Sequence, residues 1–241
     1  MMLFNLPDNA VHVWQVSLNV ATSTFDRLYA TLAPDEIARA ERFRFSEHRA
    51  RFVVAHGALR DILSRYLDIP AEQLSFAINP YGKPAFAAPE YAWLQFNLSH
   101  SGDLILIAVS RDRPIGIDVE HIIPPDDFPR LVEQFFSPNE NAAFRALPES
   151  KRAAAFFAGW TRKEAYVKAL GIGVSLPLDQ FDVTMDPDAP VRLLADRRHR
   201  LNVETWTLRT FTPAPGYIAA LAVETLHPIL TFYQYHLITT L

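Results

Sequence analysis

The sequence predicts an α+β fold, because each half of the chain offers several strand-type segments together with one long helical segment. The two long helices are expected over residues 47–67 and 151–170, from the spacing of their apolar side chains and from the residues that flank them. A tetrapeptide at residues 43–46 resembles residues 134–137 in the second half. This similarity is either a trace of internal duplication or a coincidence.

The first half is predicted to open with a strand at residues 11–18, whose alternating side chains would pack on one face. Pro34 suits the first position of a helix over residues 34–43. Ser46 is placed to cap the first long helix. Residues 68–70 end that helix, because a residue before proline disfavours the helical conformation.

A turn rich in Pro and Gly is predicted at residues 79–84, after a short strand at residues 75–78. Lys83 is expected at the tip of this turn. Residues 104–109 are continuously apolar, as in a strand that is buried on both faces. We therefore expect the first half to end with a buried strand.

The boundary between the halves is expected near residues 111–114, which gives a first half of residues 1–112 and a second half of residues 113–241. Residues 137–140 have the spacing of a helix capping box with proline at the first helical position, and Gly171 ends the second long helix. Further strands are predicted at residues 191–194, 204–211 and 217–223. The apolar tail at residues 229–241 carries no functional pattern.

Composition excludes several classes of function. The chain of 241 residues has no cysteine, which rules out disulfides, thiolate zinc sites and cysteine nucleophiles. Its formal net charge of -4 is not that of a typical nucleic-acid-binding protein. No apolar run approaches the ~20 residues that span a bilayer, and the first residues lack the pattern of a secretion signal. We expect a cytoplasmic protein without nucleic-acid or membrane partners.

Two acidic side chains stand in a predicted strand at residues 115–120. The period of two puts Gly116, Asp118 and Glu120 on one face, and Gly116 is expected to leave room beside the two carboxylates. Neighbouring carboxylates repel unless a cation lies between them, and Mg²⁺ prefers such oxygen ligands. The alternative is a strand end that enters solvent with two surface acids.

A third carboxylate lies inside the second long helix. Glu164 and Lys168 share a helical face, and Trp160 lies one turn before Glu164. An exposed Glu–Lys pair that stabilises the helix is the ordinary interpretation. Beside a metal-bound carboxylate, however, this lysine could neutralise charge on a transferring phosphoryl group.

Hydrogen-bond donors are concentrated at residues 96–102, where Ser99, His100 and Ser101 are expected on a turn that Gly102 allows. Such a turn suits phosphate oxygens. A serine hydrolase is disfavoured, because no Gly-x-Ser-x-Gly turn surrounds either serine. A structural histidine with satisfied hydrogen bonds remains the main alternative.

A local basic patch stands out in a chain that is acidic overall. It comprises Arg39, Arg42, Arg44, Arg49 and Arg51. The patch could hold a phosphate or an acidic partner helix. It could equally be a solvated helix face.

Taken in order, these segments closely resemble the surfactin-synthetase type of 4′-phosphopantetheinyl transferase over residues 42–178. The shared motifs are Gly-Lys-Pro at 82–84, Phe-Asn-Leu-Ser-His-Ser at 96–101, Gly-Ile-Asp-Val-Glu at 116–120 and Trp-x-x-Lys-Glu-Ala-x-x-Lys at 160–168. Each motif is short, but the ordered set is highly specific. Thr161 and His56 depart from residues that many relatives carry there, and His56 leaves nucleotide-phosphate contacts open.

The resemblance implies roles for individual residues. The Mg²⁺ ligands would be Asp118, Glu120 and Glu164. Contacts to coenzyme A are implied for Arg51, Lys83, Ser99, His100 and Lys168. The residues expected to act in catalysis are Glu164, Lys168 and His100.

The resemblance also implies a fold and a reaction. The fold would be a monomeric pseudo-dimer of two similar α+β halves with the site in the cleft between them. The reaction would transfer phosphopantetheine from coenzyme A to a serine of an apo acyl or peptidyl carrier protein and release 3′,5′-ADP. The proton would pass to Glu164 or to a metal-bound water. The rival functions are a non-catalytic protein that binds coenzyme A or a carrier, and a Mg²⁺-dependent phosphohydrolase.

Overall fold

The computed structural model describes residues 4–124, 127–173, 176–198 and 202–236. Each half of the chain combines strands with helices. The first half contributes the helices α1 (Thr22–Ala30), α2 (Pro34–Glu41) and α3 (Ser46–Leu67), and the strands β1 (Ala10–Ser17), β2 (Phe76–Ile78), β3 (Pro84–Phe86), β4 (Leu94–Ser101) and β5 (Leu104–Arg111).

The second half begins with a strand and carries the other long helix. Its helices are α4 (Phe128–Phe135), α5 (Pro138–Ala146) and α6 (Glu149–Leu170), and its strands are β6 (Ile115–His121), β7 (Phe181–Val183), β8 (Leu193–Asp196), β9 (Thr207–Phe211), β10 (Tyr217–Val223) and β11 (Ile229–Gln234). Helices α3 and α6 are both 22 residues long. The α+β class and the two long helices are confirmed.

The helix signals in the second half are also confirmed. The Glu140 N–H donates to Ser137 Oγ at 3.2 Å, and the Ser137 N–H donates to Glu140 Oε2 at 2.9 Å, which is the reciprocal capping box. Gly171 follows α6 with a φ of 69°, in the left-handed region where glycine is favoured. These two predictions are correct because the caps of a helix depend only on residues that are neighbours in the sequence.

Two local predictions are wrong, and the two similar tetrapeptides do not occupy equivalent places. Ser46 is the first residue of α3, and Phe45 occupies the cap position. The expected turn at residues 96–102 is strand β4 as far as Ser101, and only then does the chain turn. The tetrapeptide at 134–137 precedes the short α5 rather than α6, so it is not equivalent to the one that leads into α3.

Two sheets pack against each other, and each has its long helix on the opposite face. The first sheet has the order β11-β1-β5-β4 and the second the order β6-β10-β9. Apolar side chains of β1 and β5 meet those of β6 and β10 in one buried cluster. A second cluster joins the first sheet to α3, and a third joins the second sheet to α6. The expected pair of α+β halves is therefore confirmed.

The tail of the chain returns to the first sheet. Strand β11 pairs in parallel with β1, with Ala10 opposite Ile229. Beyond the strand, the Tyr235 hydroxyl donates to Asp61 of α3 at 2.9 Å. The proposed division at residues 112 and 113 thus assigns to the second half a strand whose sheet belongs to the first. The end of the tail, residues 237–241, lies outside the described residues.

Within the described ranges, no helix combines the length and the apolar character needed to cross a membrane.

Candidate active site

The edge strands β4 and β6 are joined by side chains where the two halves meet. Ser99 and Ser101 share one face of β4, because residues two apart lie on the same side of a strand, and their hydroxyls reach β6. The Ser99 hydroxyl donates to Asp118 Oδ1 at 3.0 Å, and the Ser101 hydroxyl donates to Glu120 Oε2 at 3.0 Å. Each predicted acidic side chain of β6 therefore receives a hydroxyl from the other half.

Asn97 adds a third contact on the same face of β4. Its side-chain oxygen accepts the N–H of Ile117 at 2.8 Å. The alternation of Asn97, Ser99 and Ser101 is visible in the sequence, but the expectation of a turn concealed it. These contacts place the candidate site in the cleft between the halves, as the resemblance implied.

Helix α6 brings a lysine to the same point. The Lys168 ammonium donates to Asp118 Oδ1 at 2.6 Å and to Ser99 Oγ at 2.9 Å. Asp118 is only 3% exposed, so this charge-assisted contact forms in partly desolvated surroundings. Three predicted site residues from β4, β6 and α6 are thus in direct contact.

Gly116 allows α6 to lie close enough for this contact. A Cβ atom at this position would lie 2.0 Å from the carbonyl oxygen of Ala165 and 2.3 Å from the backbone nitrogen of Ala169. The expectation that Gly116 leaves room beside the carboxylates is therefore wrong. Its missing side chain makes space for the backbone of α6, and so for Lys168.

The three predicted acidic residues repel one another electrostatically. Burial raises the pKa of Glu120, and the charge of Asp118 raises it further. Burial likewise raises the pKa of Glu164, with further contributions from Asp118 and Glu120. Lys168 acts in the opposite direction on both glutamates. The site therefore has a deficit of positive charge.

The protein supplies only part of the coordination shell that a divalent cation would need at this site. Within the described ranges, no three His, Cys, Asp or Glu side chains are grouped closely enough to hold a metal ion by themselves. Asp118 Oδ2, however, is buried and has no hydrogen-bond partner among the described residues. Mg²⁺ commonly binds one or two carboxylates and takes its other ligands from water and substrate phosphates. The donor set therefore fits Mg²⁺ that is shared with a phosphate-bearing substrate.

Lys83 does not lie at an exposed tip, which corrects the prediction. Its ammonium donates to the carbonyl oxygens of Ile115 and Ala169, both at 3.1 Å. Burial lowers its pKa to about 8. Because an ammonium has three N–H groups, one donor remains beyond these two contacts.

The remaining predicted cationic residues lie near the site without touching its carboxylates. His100 is exposed on the face of β4 opposite Ser99. Partial desolvation of its ring lowers its pKa, and the charges of Lys168, Arg51 and His56 lower it further. The Arg51 guanidinium pairs with Glu47 at 2.6 Å on the surface of α3. These residues therefore influence the site through their charges rather than through hydrogen bonds to its carboxylates.

Two cavities adjoin one another beside this site. The larger has a volume of about 390 Å³ and includes Glu36, Arg39 and His56 in its lining. The smaller, of about 230 Å³, is lined in part by Lys83 and Lys168. Both are also lined by Gly82, Pro84, Asn97 and Leu98. The shared lining makes a path from the helices of the first half to the ammonium of Lys168.

Sequence reasoning missed the pair that anchors α6. Lys163 is fully buried and its ammonium contacts Glu140 Oε2 at 2.7 Å. The same ammonium donates to the carbonyl oxygens of Leu178 and Phe181 at 2.6 and 2.7 Å. Glu140 belongs to the capping box and Lys163 to the motif at 160–168, and no local signal links the two residues. The pair fixes α6 next to Glu164.

The geometry of the cleft indicates a general class of enzyme. Carboxylates and a lysine meet in a cleft beside a cavity lined by Lys83 and Lys168, and such groups stabilise the charge of a transferring phosphoryl group. Family comparison then identifies the lineage: residues 114–222 match the 4′-phosphopantetheinyl transferase superfamily, and residues 15–112 match the N-terminal part of a 4′-phosphopantetheinyl transferase. The chain belongs to the 4′-phosphopantetheinyl transferase superfamily.

Relatives named 4′-phosphopantetheinyl transferase are similar to this chain over most of its length. The 4′-phosphopantetheinyl transferase HetI of Nostoc sp. is 39% identical over 90% of this chain and 89% of its own length. The 4′-phosphopantetheinyl transferase psf-1 of Bacillus pumilus is 34% identical over 78% and 79%. The 4′-phosphopantetheinyl transferase Sfp of Bacillus subtilis is 29% identical over 84% and 86%. The predicted resemblance to the surfactin-synthetase type is confirmed.

Among solved structures, the holo-[acyl-carrier-protein] synthase of Thermotoga maritima is 21% identical. The match covers 46% of this chain and 62% of that one, with a TM-score of 0.34. At this level of similarity it supports no argument about the site.

Proposed function

We propose that this 4′-phosphopantetheinyl transferase moves the phosphopantetheine arm of coenzyme A onto a serine of an apo acyl or peptidyl carrier protein. The contact between Ser99, Asp118 and Lys168 carries the proposal, because it joins three of the family motifs at one point in the cleft. The serine oxygen forms a bond to the β-phosphorus of coenzyme A. The bond from that phosphorus to the bridging oxygen breaks, and 3′,5′-ADP leaves.

Coenzyme A is proposed to lie along the two adjoining cavities. Lys83 and Lys168 in the lining of the smaller cavity suit its phosphates, and the larger volume of about 390 Å³ is within the usual range for ligand pockets. Of the proposed contacts, Lys83 and Lys168 line the smaller cavity, whereas Arg51, Ser99 and His100 lie outside both linings. Lys168 and His100 would stabilise the pyrophosphate from opposite sides of β4.

Asp118, Glu120 and Glu164 are proposed to hold Mg²⁺ together with substrate phosphate oxygens. Asp118 Oδ2, which has no hydrogen-bond partner in the described part of the chain, and the raised pKa values of the two glutamates support this assignment. When bound, the ion would neutralise charge on the pyrophosphate and so lower the barrier to its cleavage. The protein residues supply the position and the negative charge that the ion requires.

Glu164 is proposed to accept the proton of the carrier serine. The charges of Asp118, Glu120 and Lys168 all act on Glu164, which places this carboxylate in the cleft where the carrier serine must lose its proton. The nucleophile comes from the partner, so the chain needs no activated serine or cysteine of its own. A monomeric state and a cytoplasmic location are parts of the same proposal.

The test is to incubate the protein with an apo carrier, coenzyme A and Mg²⁺ and to measure the mass of the carrier. We expect a gain of one phosphopantetheine group, which a Ser→Ala carrier and a chelator should each abolish. Asp118→Asn should reduce transfer at limiting Mg²⁺. Asp188→Asn is the matched control, because Asp188 lies on the surface and pairs with Lys151.

Two other outcomes would contradict the proposal. Binding of coenzyme A without any change in carrier mass would indicate a non-catalytic binding protein. Release of phosphate from coenzyme A in the absence of a carrier would indicate a phosphohydrolase.

A further inference from the structure

A loop of the first half reaches across to the end of α6. The loop comprises residues 79–83 between β2 and β3, and we refer to it as the clasp. The Asn79 side-chain amide donates to the carbonyl oxygen of Gly171 at 2.7 Å. Lys83 adds its contacts at 3.1 Å to the carbonyl oxygens of Ala169 and Ile115. The clasp therefore bonds both to the last turn of α6 and to the start of β6.

The orientation of the Asn79 amide follows from its neighbours. Its side-chain oxygen accepts the N–H groups of Tyr81 and Lys83, both at 2.9 Å. Its nitrogen faces a carbonyl oxygen, which can only accept. A reversed amide would set donor against donor and acceptor against acceptor. Asn79 thus shapes the loop with one end of its amide and holds the helix with the other.

The last carbonyl groups of an α-helix have no partner within the helix. At the end of α6, the clasp supplies a donor to one of them, that of Ala169, and a second donor to the carbonyl group of Gly171, the residue that caps the helix. The fit is close, since a Cβ atom on Gly171 would lie 3.0 Å from Lys83 Cδ and 3.4 Å from the Asn79 amide nitrogen. The end of α6 is therefore located by the other half of the protein.

Lys168 immediately precedes Ala169, whose carbonyl group the clasp holds. The ammonium of Lys168 crosses the cleft to Asp118 and Ser99, so a shift of the last turn of α6 would move it directly. Asn79 itself bonds to backbone atoms of the loop and the helix end, away from the carboxylates. We propose that Asn79 is a positioning residue that sets the place of the Lys168 ammonium by holding the end of α6. This inference rests on the proposed function, in which Lys168 contacts the substrate.

Asn79→Asp is the sharpest perturbation. The new carboxylate keeps the two acceptor contacts inside the loop, but it replaces the donor to Gly171 by an oxygen that repels the carbonyl group. Asn202→Asp is the matched control, because Asn202 also accepts a backbone N–H, that of Glu204 at 3.0 Å, in a surface turn. For Asn79→Asp we expect kcat to fall about tenfold, since misplacing a reacting group by an ångström costs up to about 100-fold. The KM for the carrier should stay within about twofold of the wild-type value.

A double-mutant cycle separates positioning from general damage. If Asn79 acts through Lys168, then Asn79→Asp should cause less than about a twofold further loss in a Lys168→Ala background. The same cycle measured as coenzyme A affinity by calorimetry does not require turnover, so a slow Lys168→Ala variant can still be compared. Equal losses from Asn79→Asp in both backgrounds, or no loss in either, would overturn the inference.

Hydrogen exchange provides a readout that is independent of the reaction. Peptides covering residues 165–172 should exchange faster in Asn79→Asp than in the wild type and in Asn202→Asp. If the wild-type protein failed to modify any carrier, the proposed function would fail, while this measurement would still show whether the clasp holds the helix. Unchanged exchange would refute the clasp even in an active enzyme.

Discussion

Replacing Gly116 by alanine should disturb stability and catalysis together. The new Cβ atom would lie 2.0 Å from the carbonyl oxygen of Ala165, whereas an ordinary contact begins at 3.4 Å. Helix α6 would have to withdraw by up to about 1.4 Å, the difference between these two distances. Overpacking of this kind costs about 1–3 kcal/mol, and a clash with backbone belongs at the upper end. About 3 kcal/mol corresponds to a fall in Tm of roughly 6–12 °C for a chain of this length.

The same withdrawal carries Lys168 away from Asp118, so we expect kcat to fall about 100-fold. Thermal unfolding and carrier modification, both measured well below the melting temperature, test the two effects. Gly57→Ala is the control, because its Cβ atom would lie 2.7 Å from the carbonyl oxygen of Leu28 in the first half. That variant should lose stability but keep most of its kcat. A Gly116→Ala enzyme with wild-type melting and turnover would refute the close packing of α6 on β6.

Three further predictions concern charged groups. Glu164→Gln removes a carboxylate whose pKa is raised by burial and by Asp118, so Tm at pH 8 should rise by about 2 °C while carrier modification falls. Burial would raise the pKa of Glu36, but hydrogen bonds and the charge of Arg60 lower it to about 2. The ionised carboxylate therefore stabilises the fold fully above pH 4.5, and this stabilisation is lost as the pH falls toward 2. In urea unfolding at a series of pH values, the free energy of unfolding of Glu36→Gln should fall less at low pH than that of the wild type. Lys163→Met leaves Glu140 buried without its partner and should cost about 3–5 kcal/mol in urea unfolding, part of which a second substitution of Glu140 by glutamine should restore.

The acidic strand was predictable because its information is local. The alternation of residues 115–120 fixes which side chains share a face, and the structure places Ile117 in the core and Asp118 in contact with Lys168 of α6. The same holds for α6, where Glu164 and Lys168 lie four residues apart. Periodicity states which face a residue occupies. It does not show which element packs on that face, so the sequence alone did not reveal that α6 lies against Gly116.

Features that depend on distant parts of the chain escaped the sequence. Lys83 was expected at an exposed tip because Pro and Gly predict a turn, and the turn is present. The carbonyl oxygens that draw its ammonium inward belong to Ile115 and Ala169, far along the chain. Strand β11 is hidden for the same reason, since its partner β1 lies near the other end of the sequence. Such pairings are set by tertiary packing, which no local pattern encodes.

Charge balance favours the divalent cation that the proposed mechanism includes. With all four side chains ionised, Asp118, Glu120 and Glu164 contribute three negative charges and Lys168 one positive charge, which leaves a net charge of -2. A pyrophosphate would be repelled from such a cleft, because like charges at close range cost several kcal/mol where water is partly excluded. A divalent cation cancels the excess, whereas a second lysine would cancel only half of it. Lys168 therefore neutralises only part of the acidic charge in the free cleft, and the acidic residues stay undercompensated until substrate and cation enter together.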